Sequence, residues 1–177
     1  MPQRPLFGGA IVAELPVDII DASDIRQVPD SQEVFLYNEG ASLVVEVLER
    51  VADSDDTNAV KFHFEALADD NDAIVSTMQN PMVIPNDRGD QTPSPIVLHG
   101  TQKICKFNQT AVDQVEVLLA LFRVQTKQKS ADVVVSVNIP KSSGGQVIVA
   151  EEKAAAIALD FRLLVSSLRI VNYGLFA

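Results

Sequence analysis

Two aliphatic runs close together in the chain constrain its fold more than any other feature. Val115 to Val124 is rich in aliphatic residues, Gln125 to Ser130 is a short basic turn carrying Lys127 and Lys129, and Asp132 to Ile139 is a second run of strand character. That order predicts a long β-hairpin. The other segments must then supply the rest of a sheet and the layers that cover it.

Leu6 to Leu15 reads as a first strand, with Gly8 and Gly9 marking a bulge or a close backbone approach, and Pro16 ends it. Ser23 is placed to cap a single helical turn, and Val28 before Pro29 is held extended. Gln32 to Tyr37 alternates as a strand should. After the turn residues Asn38, Glu39 and Gly40, the apolar positions Leu43, Val44, Val47, Leu48 and Val51 fall at spacings of three and four. This spacing predicts a helix capped by Ser42, with Glu46 and Glu49 together on its outer face and Asp53 extending the same line.

A second helix is expected from Asp56 or Thr57, with Val60, His63, Phe64 and Leu67 inward, and a strand over Ala73 to Gln79. Pro81, Pro85, Pro93 and Pro95 mark a long surface loop over 80–95. Ile96 to Phe107 is strand-like, with a bend expected at Gly100, and a last helix runs from about Ala150 to Leu168. The expected fold is α+β: a single domain over 1–177, with a central, mainly antiparallel β-sheet flanked on both faces by α-helices.

Charge is unevenly shared. The net charge is −10, yet residues 1–72 hold 16 acids against 4 bases, while the remainder holds 8 acids against 10 bases. Such a field disfavours nucleic-acid phosphates and anionic lipid, so no direct nucleic-acid binding and no membrane association are expected. A basic protein surface is the fitting partner. The single cysteine, Cys105, forms no internal disulfide and suits a reducing compartment, and no segment approaches the roughly 20 apolar residues that span a bilayer.

Chemistry-bearing motifs are sparse. His63 reads as a hydrogen-bonded core residue of a helix, and His99 is left open. One cysteine and two unpaired histidines give no zinc pattern. Lys141-Ser142-Ser143-Gly144-Gly145 has the ingredients of a phosphate loop in the wrong order, and no nucleophile elbow occurs. Neither a catalytic residue, a metal nor a cofactor is expected. Exposed glutamates usually serve solvation alone. Here, however, Asp21, Asp30, Glu33, Glu46 and Glu49 come from consecutive elements, and Arg26 and Arg50 are the only bases between Asp18 and Asp56.

The residues Leu6-Phe7-Gly8-Gly9-Ala10, Ile20-Asp21-Ala22-Ser23 and Val28-Pro29-Asp30-Ser31-Gln32-Glu33-Val34-Phe35 form a pattern that closely resembles the start of the Ran guanine-nucleotide release factors, the Mog-type nuclear import factors. The likeness continues through Leu43 to Val51, Phe62-His63-Phe64-Glu65, Ala131 to Pro140 and Leu175-Phe176. It implies a Mog/PsbP-like sandwich, binding to a Ran-type small GTPase, and promotion of nucleotide release in support of nuclear import. It also implies a monomer found in nucleus and cytoplasm. In that family the GTPase meets an acidic patch whose two most important carboxylates match Glu46 and Glu49, with Asp21, Asp30 and Glu33 matching acids of the N-terminal motif. Glu65 is followed by Ala66 where relatives often have an acid, which leaves the second helix out of the expected site. The competing readings are an acidic adaptor that binds basic partners without exchange activity, a relative of the extrinsic photosystem II proteins, and an enzyme using His63 or His99.

Overall fold

The structure is a computed structural model and describes residues 1–52, 55–105 and 112–176. Its strands in chain order begin with β1 (Gln3–Leu6), β2 (Ile11–Glu14), β3 (Ile20–Asp21), β4 (Gln32–Leu36) and β5 (Ser42–Glu49). Helix α1 (Asp56–Asp70) separates these from β6 (Ala73–Met78), β7 (Met82–Val83), β8 (Ile96–Cys105), β9 (Val112–Gln125), β10 (Ser130–Ser143) and β11 (Gln146–Val147). Helix α2 (Glu151–Ser167), β12 (Arg169–Ile170) and a 3-10 turn (Tyr173–Phe176) follow.

The main sheet runs β3-β4-β5-β10-β9-β8-β6, with β7 beside β8 and β11 beside β10, and its pairings are antiparallel. The expected hairpin is its spine. Val135 faces Ala120 across β9 and β10, and the two strands pair from Ser130 and Gln125 to Ser142 and Gln114. Both faces of this hairpin are buried, which explains why its sequence is aliphatic rather than alternating. Leu118, Ala120 and Phe122 point toward α2, whereas Val117, Leu119 and Leu121 point toward α1.

Helix α1 starts where Asp55 accepts a hydrogen bond from the Thr57 amide at 2.8 Å. It lays Ala59, Val60 and Phe64 on Leu98, Leu119 and Val134. Gly100 leaves the room this needs. A Cβ added there would sit 2.4 Å from the Phe64 ring and 2.4 Å from the Thr77 carbonyl oxygen. On the other face, α2 presents Ile157, Phe161 and Leu164 to the sheet, joined by the small antiparallel sheet β1-β2-β12. Each large apolar side chain fully enclosed in this way contributes about 1.5–3 kcal/mol.

Beneath α1 lies a buried polar knot. The Asp132 carboxylate, fully enclosed, receives the Val51 amide at 3.1 Å and His63 Nε2 at 2.8 Å, and pairs with Arg123 Nε at 3.0 Å. A carboxylate can only accept, so the His63 proton sits on Nε2. Arg123 also donates to the Val51 carbonyl at 2.8 Å and meets Asp56 at 3.5 Å. The expectation of a hydrogen-bonded core histidine is met.

Two expectations change. First, the segment expected as a helix over Leu43 to Val51 is the strand β5. Leu43 and Val45 enter the α2-side core while Leu48 packs toward α1, so a strand covered on both faces has apolar residues at nearly every position and imitates helical spacing. Second, the strand expected over Leu6 to Leu15 is a hairpin of β1 and β2. Phe7, Gly8 and Gly9 take φ of 50°, 63° and 91° and fold the chain back. The chain over 80–95 carries β7, which pairs with β8, and Arg88 donates from it to the Ser166 and Leu168 carbonyls at the end of α2. Thr92 Oγ1 receives the Ile170 amide at 3.0 Å and Tyr173 donates to the Gln91 carbonyl at 2.7 Å. Asp53 and the last residues of the strand expected to reach Phe107 lie outside the described residues.

Candidate functional site

The acidic residues singled out in the sequence gather at one end of the β3-β4-β5 margin, with different surroundings. Asp21 closes β3 and caps the following 3-10 turn, accepting from the Ser23 amide at 2.9 Å. Its other oxygen lies 3.8 Å from Arg4, whose guanidinium is stacked 5.0 Å from the centre of the Phe35 ring. Glu33 accepts the Phe7 amide and so braces the left-handed turn between β1 and β2. Asp30 is exposed, just before β4. These three carboxylates surround one open cleft of about 310 Å³, walled also by Phe7, Val28 and Pro29.

The register of β4 on β5 places the other two. Gln32 lies opposite Glu46 and donates to its carboxylate, while Glu33 lies opposite Val45. Side chains alternate along a strand, so Glu46 points to the α1 face and Glu49, three residues on, points to the other. Glu46 is half-buried over a small hollow that it shares with His63, Leu67 and Asp70. Glu49 is exposed where β5 ends, opposite Ala131. The helical reading had put these two glutamates side by side. The strand separates them by about 10 Å and by the thickness of the sheet edge.

The arrangement is an acidic rim that wraps the sheet end. Among the described residues, Asp30 and Glu49 have no internal hydrogen-bond or ion-pair partner; the other three are each held by one contact or more. Side chains with displaced protonation lie elsewhere. Burial and the neighbouring Asp160 push the Tyr37 hydroxyl above its ordinary range, and burial raises the Asp160 carboxyl in turn. Among the described residues no group of three or more His, Cys, Asp or Glu side chains is placed to hold a metal ion. No helix among them is long and apolar enough to cross a membrane.

Comparison with known proteins adds the decisive match: the family model described as Ran-interacting Mog1 protein aligns with residues 4–140. The chain belongs to the Mog1 family. It is 33% identical to the Danio rerio Ran guanine nucleotide release factor over 191 residues, covering 98% of each chain. It is 35% identical to the Homo sapiens Ran guanine nucleotide release factor, covering 97% of this chain and 95% of that one. The crystal structure of the Saccharomyces cerevisiae Ran-binding protein Mog1p superposes with a TM-score of 0.73 at 25% identity, covering 99% of this chain and 98% of that one. The Mog1 fold is therefore the one seen here, an α+β sandwich on a large antiparallel sheet.

Two contributors to the rim escaped sequence reasoning. Gln32 links Glu46 to the cleft, and Phe7 walls it while donating its amide to Glu33. Neither residue type signals a site. The one available hint was Gly8-Gly9, which marks a backbone turn without saying which carboxylate braces it.

Proposed function

We propose that the protein binds the small GTPase Ran through this acidic rim and promotes release of its guanine nucleotide, in support of nuclear protein import. The observation that carries the reading is the meeting of Asp21, Asp30 and Glu33 around one open cleft, with Glu46 joined to it through Gln32 and Glu49 exposed on the adjoining strand. A rim of this sign complements a lysine- or arginine-bearing surface, and the names of the relatives supply the GTPase.

A small GTPase holds its nucleotide through a lysine-bearing loop and a magnesium ion. A protein that binds the empty form more tightly than the loaded form must weaken nucleotide binding by the same factor. Glu49 and Asp30 make the first contacts, because no internal bond has to break. Glu46 joins only when its bond to Gln32 is exchanged for one to the partner. A hydrogen bond to a charged group contributes about 1.5–3 kcal/mol, so that exchange is close to neutral and favours a cation as the incoming donor. Asp21 and Glu33 chiefly speed encounter, an effect that salt suppresses. The protein acts by binding, as a monomer and as one domain over 1–177, in nucleus and cytoplasm, without direct contact to nucleic acid or membrane.

Release of labelled nucleotide from loaded Ran, measured with wild type, Glu49→Ala and Glu46→Lys, tests this. Slower release in both variants is expected. Unchanged rates in both would remove these residues from the mechanism, and tight binding with no acceleration by the wild type would favour the adaptor reading instead.

A further inference from the structure

A second opening lies near the other margin of the main sheet and serves no part of the proposed GTPase reading. It is a groove of about 350 Å³ between α2 and the β7-β8-β9 strands. Three strands, β5, β10 and β9, separate β4 from β8, which sets the two openings roughly 20 Å apart at ordinary strand spacing.

The groove is mainly apolar, lined by Met82, Ile84, Val97, Leu118, Ala158 and Phe161. Leu118 and Phe161 are anchored in the core, whereas Met82 stands 65% exposed at the rim as a flexible side chain able to fold over an occupant. Two of its polar residues already answer one another: Glu116 meets His99 Nε2 at 2.8 Å and Lys141 Nζ at 3.5 Å. Arg162 does not share in this. It lines the same groove from the exposed side of α2 and has no hydrogen-bond or ion-pair partner among the described residues.

In a protein of net charge −10, an unanswered guanidinium over an apolar trough selects a particular ligand chemistry. We infer that this groove is a binding site for a small amphiphilic carboxylate of the medium-chain fatty-acid class, its chain lying along Val97, Leu118 and Phe161 and its head group held by Arg162. The guanidinium fork matches a carboxylate in two parallel hydrogen bonds. At roughly 30 Å³ for each water-sized unit, the volume accepts about ten non-hydrogen atoms, a single short chain rather than a peptide segment. Glu116 is itself engaged, by His99 Nε2 at 2.8 Å and by Lys141 Nζ at 3.5 Å, the latter shared with Glu151 at 2.5 Å.

Octanoate, with eight carbons and two oxygens, is the probe. An amide-resolved NMR titration of the full chain with octanoate is expected to saturate, with shifts centred on Val97, Leu118, Ala158 and Phe161. Octan-1-ol, which lacks the charge, and butyrate, which lacks the chain, are each expected to bind about tenfold or more weakly. Arg162→Gln should bring octanoate down to the affinity of octanol, and Ala158→Phe should block both. Arg162 is exposed, so its variant keeps the fold and the result does not depend on the bulkier substitution. Shifts that fail to saturate, that map outside the groove, or that are unchanged in Arg162→Gln would overturn the assignment. Because the readout is binding alone, failure here leaves the GTPase reading untouched, and the reverse holds equally.

Discussion

Replacing Asp132 by asparagine keeps the size of the side chain in the polar knot under α1, removes its charge and exchanges one acceptor oxygen for a donor. Each group that meets this carboxylate is a donor: the Val51 amide, His63 Nε2 and the Arg123 guanidinium. The amide nitrogen of asparagine would have to face one of them, and Arg123, itself almost enclosed, would lose the fully buried carboxylate that its Nε meets at 3.0 Å. Breaking a buried pair from one side costs about 3–5 kcal/mol, because the remaining charge stays in the interior without the carboxylate that offset its desolvation. Against a total stability of about 5–15 kcal/mol this is a large share. With a urea dependence of about 2 kcal/mol per molar for a chain of this size, the unfolding midpoint should fall by about 1.5–2.5 M. Asp56 offers the internal comparison. It pairs with the same arginine but is 53% exposed, so Asp56→Asn should cost less than about 1 kcal/mol. Adding Arg123→Met to the Asp132→Asn chain should recover part of the loss, since the buried cation that Asp132 had answered is then gone. Urea melts followed by circular dichroism read all of these. A midpoint shift for Asp132→Asn no larger than that for Asp56→Asn would refute the reasoning.

Gly100→Ala should destabilise by about 1–3 kcal/mol through overpacking against the Phe64 ring and the Thr77 carbonyl, read as a lower urea midpoint with unchanged slope; a neutral result would mean that β6 yields freely. Arg88→Ala removes the donor to two carbonyls at the end of α2 and should cost about 1–2 kcal/mol, with the largest loss of amide-exchange protection in the 80–95 loop and the last turn of that helix. Burial pushes the Asp90 carboxyl up, but hydrogen bonds from Arg88, Thr92 and Asn86 outweigh it and hold the group well below the usual carboxylate range. Its contribution is therefore present above the unfolded pKa of about 4 and is lost as pH falls below that, so the stability gap between wild type and Asp90→Asn should shrink in thermal melts taken from pH 6 to pH 3.

The sequence made some elements readable because one physical demand dominated them. The β9-β10 hairpin showed in its aliphatic runs, and α1 in Val60, His63 and Phe64 facing one way. Segment β5 did not, because Leu43 and Val45 serve one core and Leu48 packs against the other, erasing the alternation that distinguishes a half-covered strand. Three β-branched residues, Val44, Val45 and Val47, were the signal that favoured a strand there. The same misreading set Glu46 beside Glu49. The cluster of Asp21, Asp30 and Glu33 was legible because short connections bring β3 and β4 together whatever follows. The brace from Phe7 to Glu33 depends on the left-handed turn and on a pairing between distant segments, which local pattern does not encode.

The position of β10 beside β5 has a consequence for how the protein is made. Val45 finds its neighbour Val135, and β2 finds β12, only after most of the polypeptide exists. During synthesis the amino-terminal third must wait on the ribosome with its strand edges unsatisfied, a slow, topologically demanding closure that exposes apolar surface to aggregation. Holding chaperones acting on nascent chains should therefore matter more to the yield of this protein than to that of a helical bundle of equal length.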